Sequence, residues 1–145
     1  MGANRRAHDG RIAVGDILLE LSRPLTLLNE RDRQHWAKKR TEKSQMAWEI
    51  RCQLAWLPSS PIHRAEVTVW RHSVRAPDQD NLEASVKPLL DVLQPASRRH
   101  PFGLGIIAGD DPEHVTTRVY HIRAGSLRDQ KTLVRIRDLG MEAQP

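Results

Sequence analysis

Three acidic groups stand out in this 145-residue chain: Asp78-Gln79-Asp80, then Asp91, then Asp110-Asp111. In an extended segment residues i and i+2 point the same way, so Asp78 and Asp80 can turn both carboxylates towards one ion. Ligation by carboxylates alone favours a hard cation, and octahedral oxygen sites suit Mg²⁺, with Mn²⁺ as a substitute. Two carboxylates this close repel unless a metal, a proton or a basic group stands between them. The same residues admit a structural reading. Asp80 followed by Glu83 fits a helix N-cap with its reciprocal partner three residues on, and the cap competes with the ion for one carboxylate. Asp110-Asp111-Pro112 also suits an ordinary turn.

Helix geometry limits which side chains can join Asp78 and Asp80. Lys87 lies seven positions beyond Asp80, two turns on and about 10 Å along the axis, so its ammonium can reach towards a phosphate held there; it is equally a solvated surface lysine. Asp91 is eleven positions beyond Asp80, about 16 Å, too far to ligate directly. As the i,i+4 partner of Lys87 it reads as a structural or lysine-orienting residue. Glu83, one turn from Asp80, is the candidate for a carboxylate just outside the direct ligands.

The elements that must position these residues can be read from pattern. Residues 13–21 form a first strand, closed by Pro24, and a polar loop over Asn29–Arg33 enters a helix. From Asp32 to Trp56 there is no proline or glycine, and Ala47, Ile50, Leu54 and Leu57 recur at helical spacing. Trp36 and Trp48 are expected in the same packing system. Residues 63–74 alternate, with Ala65, Val67 and Val69 on one side and Glu66, Thr68 and Trp70 on the other, which predicts a strand with one face inward. A second helix runs over Asn81–Leu93, where Pro88 predicts a kink or break at Lys87. Residues 94–103 form an irregular loop, read as a solvated insertion, although Arg98, Arg99 and His100 would also let it touch DNA or a partner subunit. Leu104–Ala108 delivers the chain to the acidic turn, residues 114–123 form a strand, and Thr132–Arg137 a partner strand. The length suits a single domain over residues 1–145, with 1–11 and 140–145 flexible. The expected class is α+β: a small mixed β-sheet packed with two main helices.

Composition bounds the partners. The net charge of +5 favours a polyanion. Arg33, Lys38, Lys39, Arg40 and Lys43 fall within eleven residues that contain one acid, Glu42, which reads as a DNA-backbone surface or as a solvated helix face. No apolar run approaches the roughly 18–20 residues of a membrane span, so no membrane partner is expected. Met1–Arg11 lacks the apolar stretch of a secretion signal, and the single Cys52 cannot form an internal disulfide; a cytoplasmic protein with a buried, inert thiol is expected.

Taken together, D-Q-D-N-L at 78–82, K-P-L-L-D-V-L at 87–93 and the aspartate pair at 110–111 resemble the signature of the RusA-like Holliday junction resolvases, as does L-L-N-E-R-D-R-Q-H-W at 27–36. The resemblance spans residues 24–123 and implies a homodimeric, Mg²⁺-dependent endonuclease of phage or bacterial type acting on four-way DNA junctions. It places the metal-binding acids on Asp78, Asp80 and Asp111 and the essential lysine on Lys87. That lysine follows the second aspartate by seven residues, against four in the best-studied form of the family. Arg71 and Arg75, near the acids, join Arg33, Lys38, Lys39 and Arg40 as expected backbone contacts.

Two rivals carry different chemistry. A non-catalytic DNA-binding module would use the acids only as caps. A haloacid-dehalogenase-type phosphatase also has a D-x-D, a later lysine and a G-D-D element, but its first aspartate follows a buried apolar strand, which Arg71–Pro77 is not. A dinucleotide site at Gly103–Ala108 lacks the preceding strand and following helix, and the seven histidines show no zinc spacing.

Overall fold

The alternating segment at 63–74 becomes the centre of the sheet. The computed structural model describes residues 16–31, 35–55 and 57–140; Arg33, residues 1–15 and residues 141–145 lie outside them. Strand β1 (Ile17–Leu21) is followed by a short helix α1 (Leu28–Arg31) and the long helix α2 (Trp36–Gln53). Then come β2 (Ala65–Ser73), helices α3 (Gln79–Ala84) and α4 (Lys87–Leu93), β3 (Val115–Arg123) and β4 (Lys131–Asp138). The strand order is β1-β4-β2-β3. β2 pairs antiparallel with β4 and parallel with β3, and β4 pairs antiparallel with β1. This is a small mixed sheet with helices, an α+β fold.

The partners of β4 are therefore β2 and β1, not the strand that precedes it. A parallel pair needs a crossover connection, and α3, α4 and the loop after them supply it between β2 and β3. Having a strand on each side, β2 is more enclosed than a strand with one inward face. Ala65, Val67 and Val69 enter the core as expected, and Thr68 on the opposite face is also buried. β3 is an edge strand and mostly exposed.

Helix α2 follows from 18 residues without proline or glycine; His35 caps its start by accepting from the Ala37 N–H. Ala47 and Ile50 are buried and Leu54 and Leu57 pack partly against the core, so the predicted stripe holds. Three other expectations on α2 do not. Trp36 and Trp48 are 69% and 66% exposed, and Cys52 is exposed as well. Met46, Ala47, Ile50 and Leu54 form the side of α2 that meets the core, and positions 36, 48 and 52 lie on the rest of the helix surface.

The expected break at Pro88 is present. α3 stops at Ala84, the Ser85 hydroxyl donates to the Leu82 carbonyl at 2.6 Å, and α4 restarts with Pro88 in its first turn, where a missing N–H costs nothing. Val86, Leu89, Val92 and Leu93 bury against Ile106, Ile107, Val67 and Val69 in one core. That packing fixes the two acidic segments: Asp78 and Asp80 at the start of α3, and Asp110-Asp111 in the turn before β3. Among the described residues no helix is long and apolar enough to cross a membrane.

Candidate metal and DNA site

Asp78, not Asp80, is the N-cap residue of α3, and its side chain makes no capping hydrogen bond. Asp80 sits in the first helical turn. Glu83 does not reach back to the cap; it accepts from Gln79 Nε2 at 2.9 Å. The capping-box reading is thus not realised. Both aspartates are exposed at the helix's electropositive end.

The second acidic segment is held by bases. Lys87 Nζ lies 2.5 Å from Asp110 Oδ2 and 3.2 Å from Asp91 Oδ1. The Asp110 contact raises the lysine above its ordinary value, against a smaller opposing effect of burial, and holds the Asp110 carboxyl low. Lysine at the first position of a helix is poorly placed for the helix dipole, and these two carboxylates offset that. Asp91 is buried and also takes Lys43 from α2 at 2.9 Å, so it ties α2 to α4. The His100 ring is 3.7 Å from the same carboxylate. Asp91 is therefore structural and orients Lys87, as its spacing suggests.

Asp111 is exposed. Its carboxylate lies 2.7 Å from His114 Nδ1, and it accepts the Glu113 N–H at 2.9 Å. The His114 contact, first among these causes, holds its carboxyl below the usual range. His63 stands edge-on to His114, with ring centroids 5.0 Å apart. Gly109 allows this close arrangement, because a Cβ there would come within 3.0 Å of Asp111 Oδ2 and 3.3 Å of His114 Nδ1.

Among the described residues no three His, Cys, Asp or Glu side chains form a group able to hold a metal ion. The structure turns Lys87 towards Asp110 and Asp91. The donor chemistry itself fits a hard cation, since all three acids are exposed carboxylates and, among the described residues, only Asp111 is engaged by a base.

The expected DNA-contacting residues divide. Lys38, Arg40 and Arg75 are exposed and Lys39 is half-buried. Arg71 does not belong with them. It is buried, its Nε donates to the Leu25 carbonyl at 2.7 Å and its Nη1 to the Ser73 hydroxyl at 2.9 Å. It points inward from β2 and holds the segment after β1, and burial lowers its pKa. Sequence reasoning misses two contributors: His114, and Lys43 as the partner of Asp91. The i,i+3 spacing of Asp111 and His114 was a usable signal; the Lys43–Asp91 pair, 48 residues apart, left none. A scan against models of known protein families finds no match, and a search of curated proteins returns no relative.

Proposed function

We propose that the protein is a small Mg²⁺-dependent endodeoxyribonuclease that cuts branched DNA, four-way junctions first, in the manner of the RusA-like resolvases that its motifs resemble. The observation that carries the reading is the Asp78–Asp80 pair: two exposed carboxylates at a helix start, with no side-chain capping bond from Asp78. A pair left free of the structural task usual for such residues is available for an ion.

Asp78 and Asp80 would hold the ion; Asp111 is its third ligand by the resemblance alone, since among the described residues no three such side chains form a metal-holding group. When bound, Mg²⁺ supplies a Lewis acid for a phosphate oxygen and a water of lowered pKa. The chain's own groups do the rest. The Lys87 ammonium, kept charged by Asp110 and Asp91, offsets negative charge that builds on the phosphate. Lys38, Lys39, Arg40 and Arg75 hold the DNA backbone, which positions the strand without reading its sequence. A homodimer of C2 symmetry places two such sites on a two-fold symmetric junction. The setting is the cytoplasm.

A second reading has its own support. Lys43–Asp91–Lys87–Asp110 is a continuous run of ion pairs and Asp111 is held by His114, which is how structural acids behave. In that case the protein is a non-catalytic DNA-binding module. One experiment separates the two: a labelled four-way junction is incubated beside linear duplex with Mg²⁺ or EDTA. The nuclease cuts the junction only with Mg²⁺, and Asp80→Asn abolishes cutting while leaving binding intact. Equal cutting by that variant refutes the site; binding without cutting by wild type supports the module. A covalent aspartyl-phosphate would point instead to the phosphatase.

A further inference from the structure

Helix α2 carries two acids, and both are turned to one side. Glu42 accepts from the Thr26 hydroxyl at 2.9 Å, and Glu49 from the Ser22 N–H at 3.2 Å, so each faces the segment after β1. The positions 36, 40, 44 and 48 form a ridge of i,i+4 neighbours, and at its two ends stand the exposed Trp36 and Trp48. Between them Arg40 lies over the ring of Phe102, 5.1 Å from its centroid, which brings the 94–103 loop against α2. Two shallow depressions meet at this Arg40–Phe102 contact. One, of about 190 Å³, lies towards Trp36 and is lined also by Lys39, Arg99 and the Lys43–Asp91 ion pair; the other, of about 440 Å³, runs along Thr41, Ser44 and Gln45 to Trp48. Gly103 permits the loop's close return, because a Cβ there would sit 2.4 Å from the Gln94 carbonyl oxygen.

Both rings present flat apolar surface to solvent beside basic side chains. The charge complementarity is to a polyanion, and the aromatic faces suit planar groups. We infer that this face of α2 and the 94–103 loop binds single-stranded DNA, with unpaired bases stacking on Trp36 and Trp48 and phosphates meeting Arg40, Lys39 and Arg99. Base–aromatic stacking of this kind is tolerant of sequence and is accompanied by a basic groove along the backbone. The two tryptophans are about 18 Å apart along the helix axis, room for roughly five stacked nucleotides at about 3.4 Å each. The inference rests on the nuclease reading for the choice of DNA, and names unpaired strand at a branch as the part of the substrate this face takes.

The test measures binding in EDTA, where no cutting occurs, using fluorescence anisotropy of a labelled twelve-nucleotide oligo-dT and of a matched duplex. W36A and W48A are each expected to weaken oligo-dT binding by about 5- to 150-fold, the range of one lost stacking contact, and to leave duplex binding within about twofold. W36F should retain most of the affinity. Both rings are exposed, so thermal melts of the variants should match wild type. Unchanged oligo-dT binding in both alanine variants overturns the inference. So does a loss confined to R40A, which would leave only charge. Self-association that W36A and W48A abolish, seen by sedimentation, would assign the face to a second copy of the chain and also overturn it. If wild type binds oligo-dT but never cuts a junction, the nuclease reading fails and the stacking face stands.

Discussion

The two aspartate pairs of this protein have the same composition and opposite circumstances. Asp78 and Asp80 open a helix, exposed, with the Asp78 side chain making no cap. Asp110 and Asp111 are each answered by a base, Lys87 and His114. A carboxylate paired with a base has its charge compensated already, whereas a pair with no basic partner among the described residues relies on solvent and the weak field of the helix end. The first pair is thus the one that gains most from a cation. The second is held in place by interactions a cation would have to replace or use.

The largest expected effect tests that asymmetry directly. In Mg²⁺-supported junction cleavage, Asp78→Asn and Asp80→Asn should each lower the rate by about 10²-fold or more, the size of losing a charged group that acts at the transition state. Asp110→Asn should lower it less than about tenfold, because Lys87 keeps its contact with Asp91. Equal losses at positions 80 and 110 would mean that the two pairs do not differ in role.

Stability should show the reverse order. Asp91 is buried between Lys43 and Lys87, so Asp91→Ala leaves two lysines facing a buried gap and unties α2 from α4. Both lysines reach solvent and can relax, which keeps the loss to about 2 kcal/mol, or about 4–8 °C in a thermal melt of a chain this size. Asp80→Asn should melt within about a degree of wild type. A larger fall for Asp80→Asn than for Asp91→Ala would show that the α3 start is structural after all.

A smaller effect concerns the Asp111–His114 contact. If His114 orients Asp111 for an ion, His114→Ala should raise the Mg²⁺ concentration needed for half-maximal cleavage by about tenfold, the lower end of what such supporting partners contribute. Gly109→Ala, which presses a methyl group against both side chains, should act in the same direction. A lower Mg²⁺ requirement in His114→Ala would instead make the imidazole a competitor of the ion.

Local signals in the sequence located the elements well. Pro88 marked the break before α4, the Ala47–Ile50 stripe marked the inward side of α2, and the alternation at 63–74 marked β2. Long-range partners were less legible. β4 lies beside β2 and β1 because β3 takes the far edge of β2 in parallel, which no short-range pattern encodes. Arg71 reads as a free cation near the acids, yet alternation puts it on the inward side of β2, where the Leu25 carbonyl and Ser73 hydroxyl receive it. Lys87 was placed by extending one helix through residues 80–87; the halt at Ala84 and restart at Lys87 give it Asp110 and Asp91 as partners. Trp36 and Trp48 were assigned to the core by residue type, although their positions lie off the buried stripe. For α2 position was the better guide than chemistry, and the outward tryptophans are what give that helix a surface of interest.

The Lys87–Asp110 pair gives the smallest effect and a defined pH window. Asp110 is held below its ordinary value, so its contribution to folding is present above about pH 4 and disappears as pH falls through the lowered value. Lys87 is held above its ordinary value, so its contribution is complete below about pH 10.4 and disappears as pH rises through the raised value. Between those limits the pair's contribution is flat. The lysine side chain is 53% exposed and the aspartate 33%, so solvent screening leaves about 0.5 kcal/mol. Urea unfolding of wild type and Asp110→Asn should therefore differ by about that much at pH 7 and converge once pH has fallen below the lowered value. In high salt the pH 7 difference should shrink, because both groups reach solvent. A difference that persists in acid would mean that Asp110 stabilises the turn through its hydrogen bonds and not its charge, and the contrast between the two aspartate pairs would then be one of geometry alone.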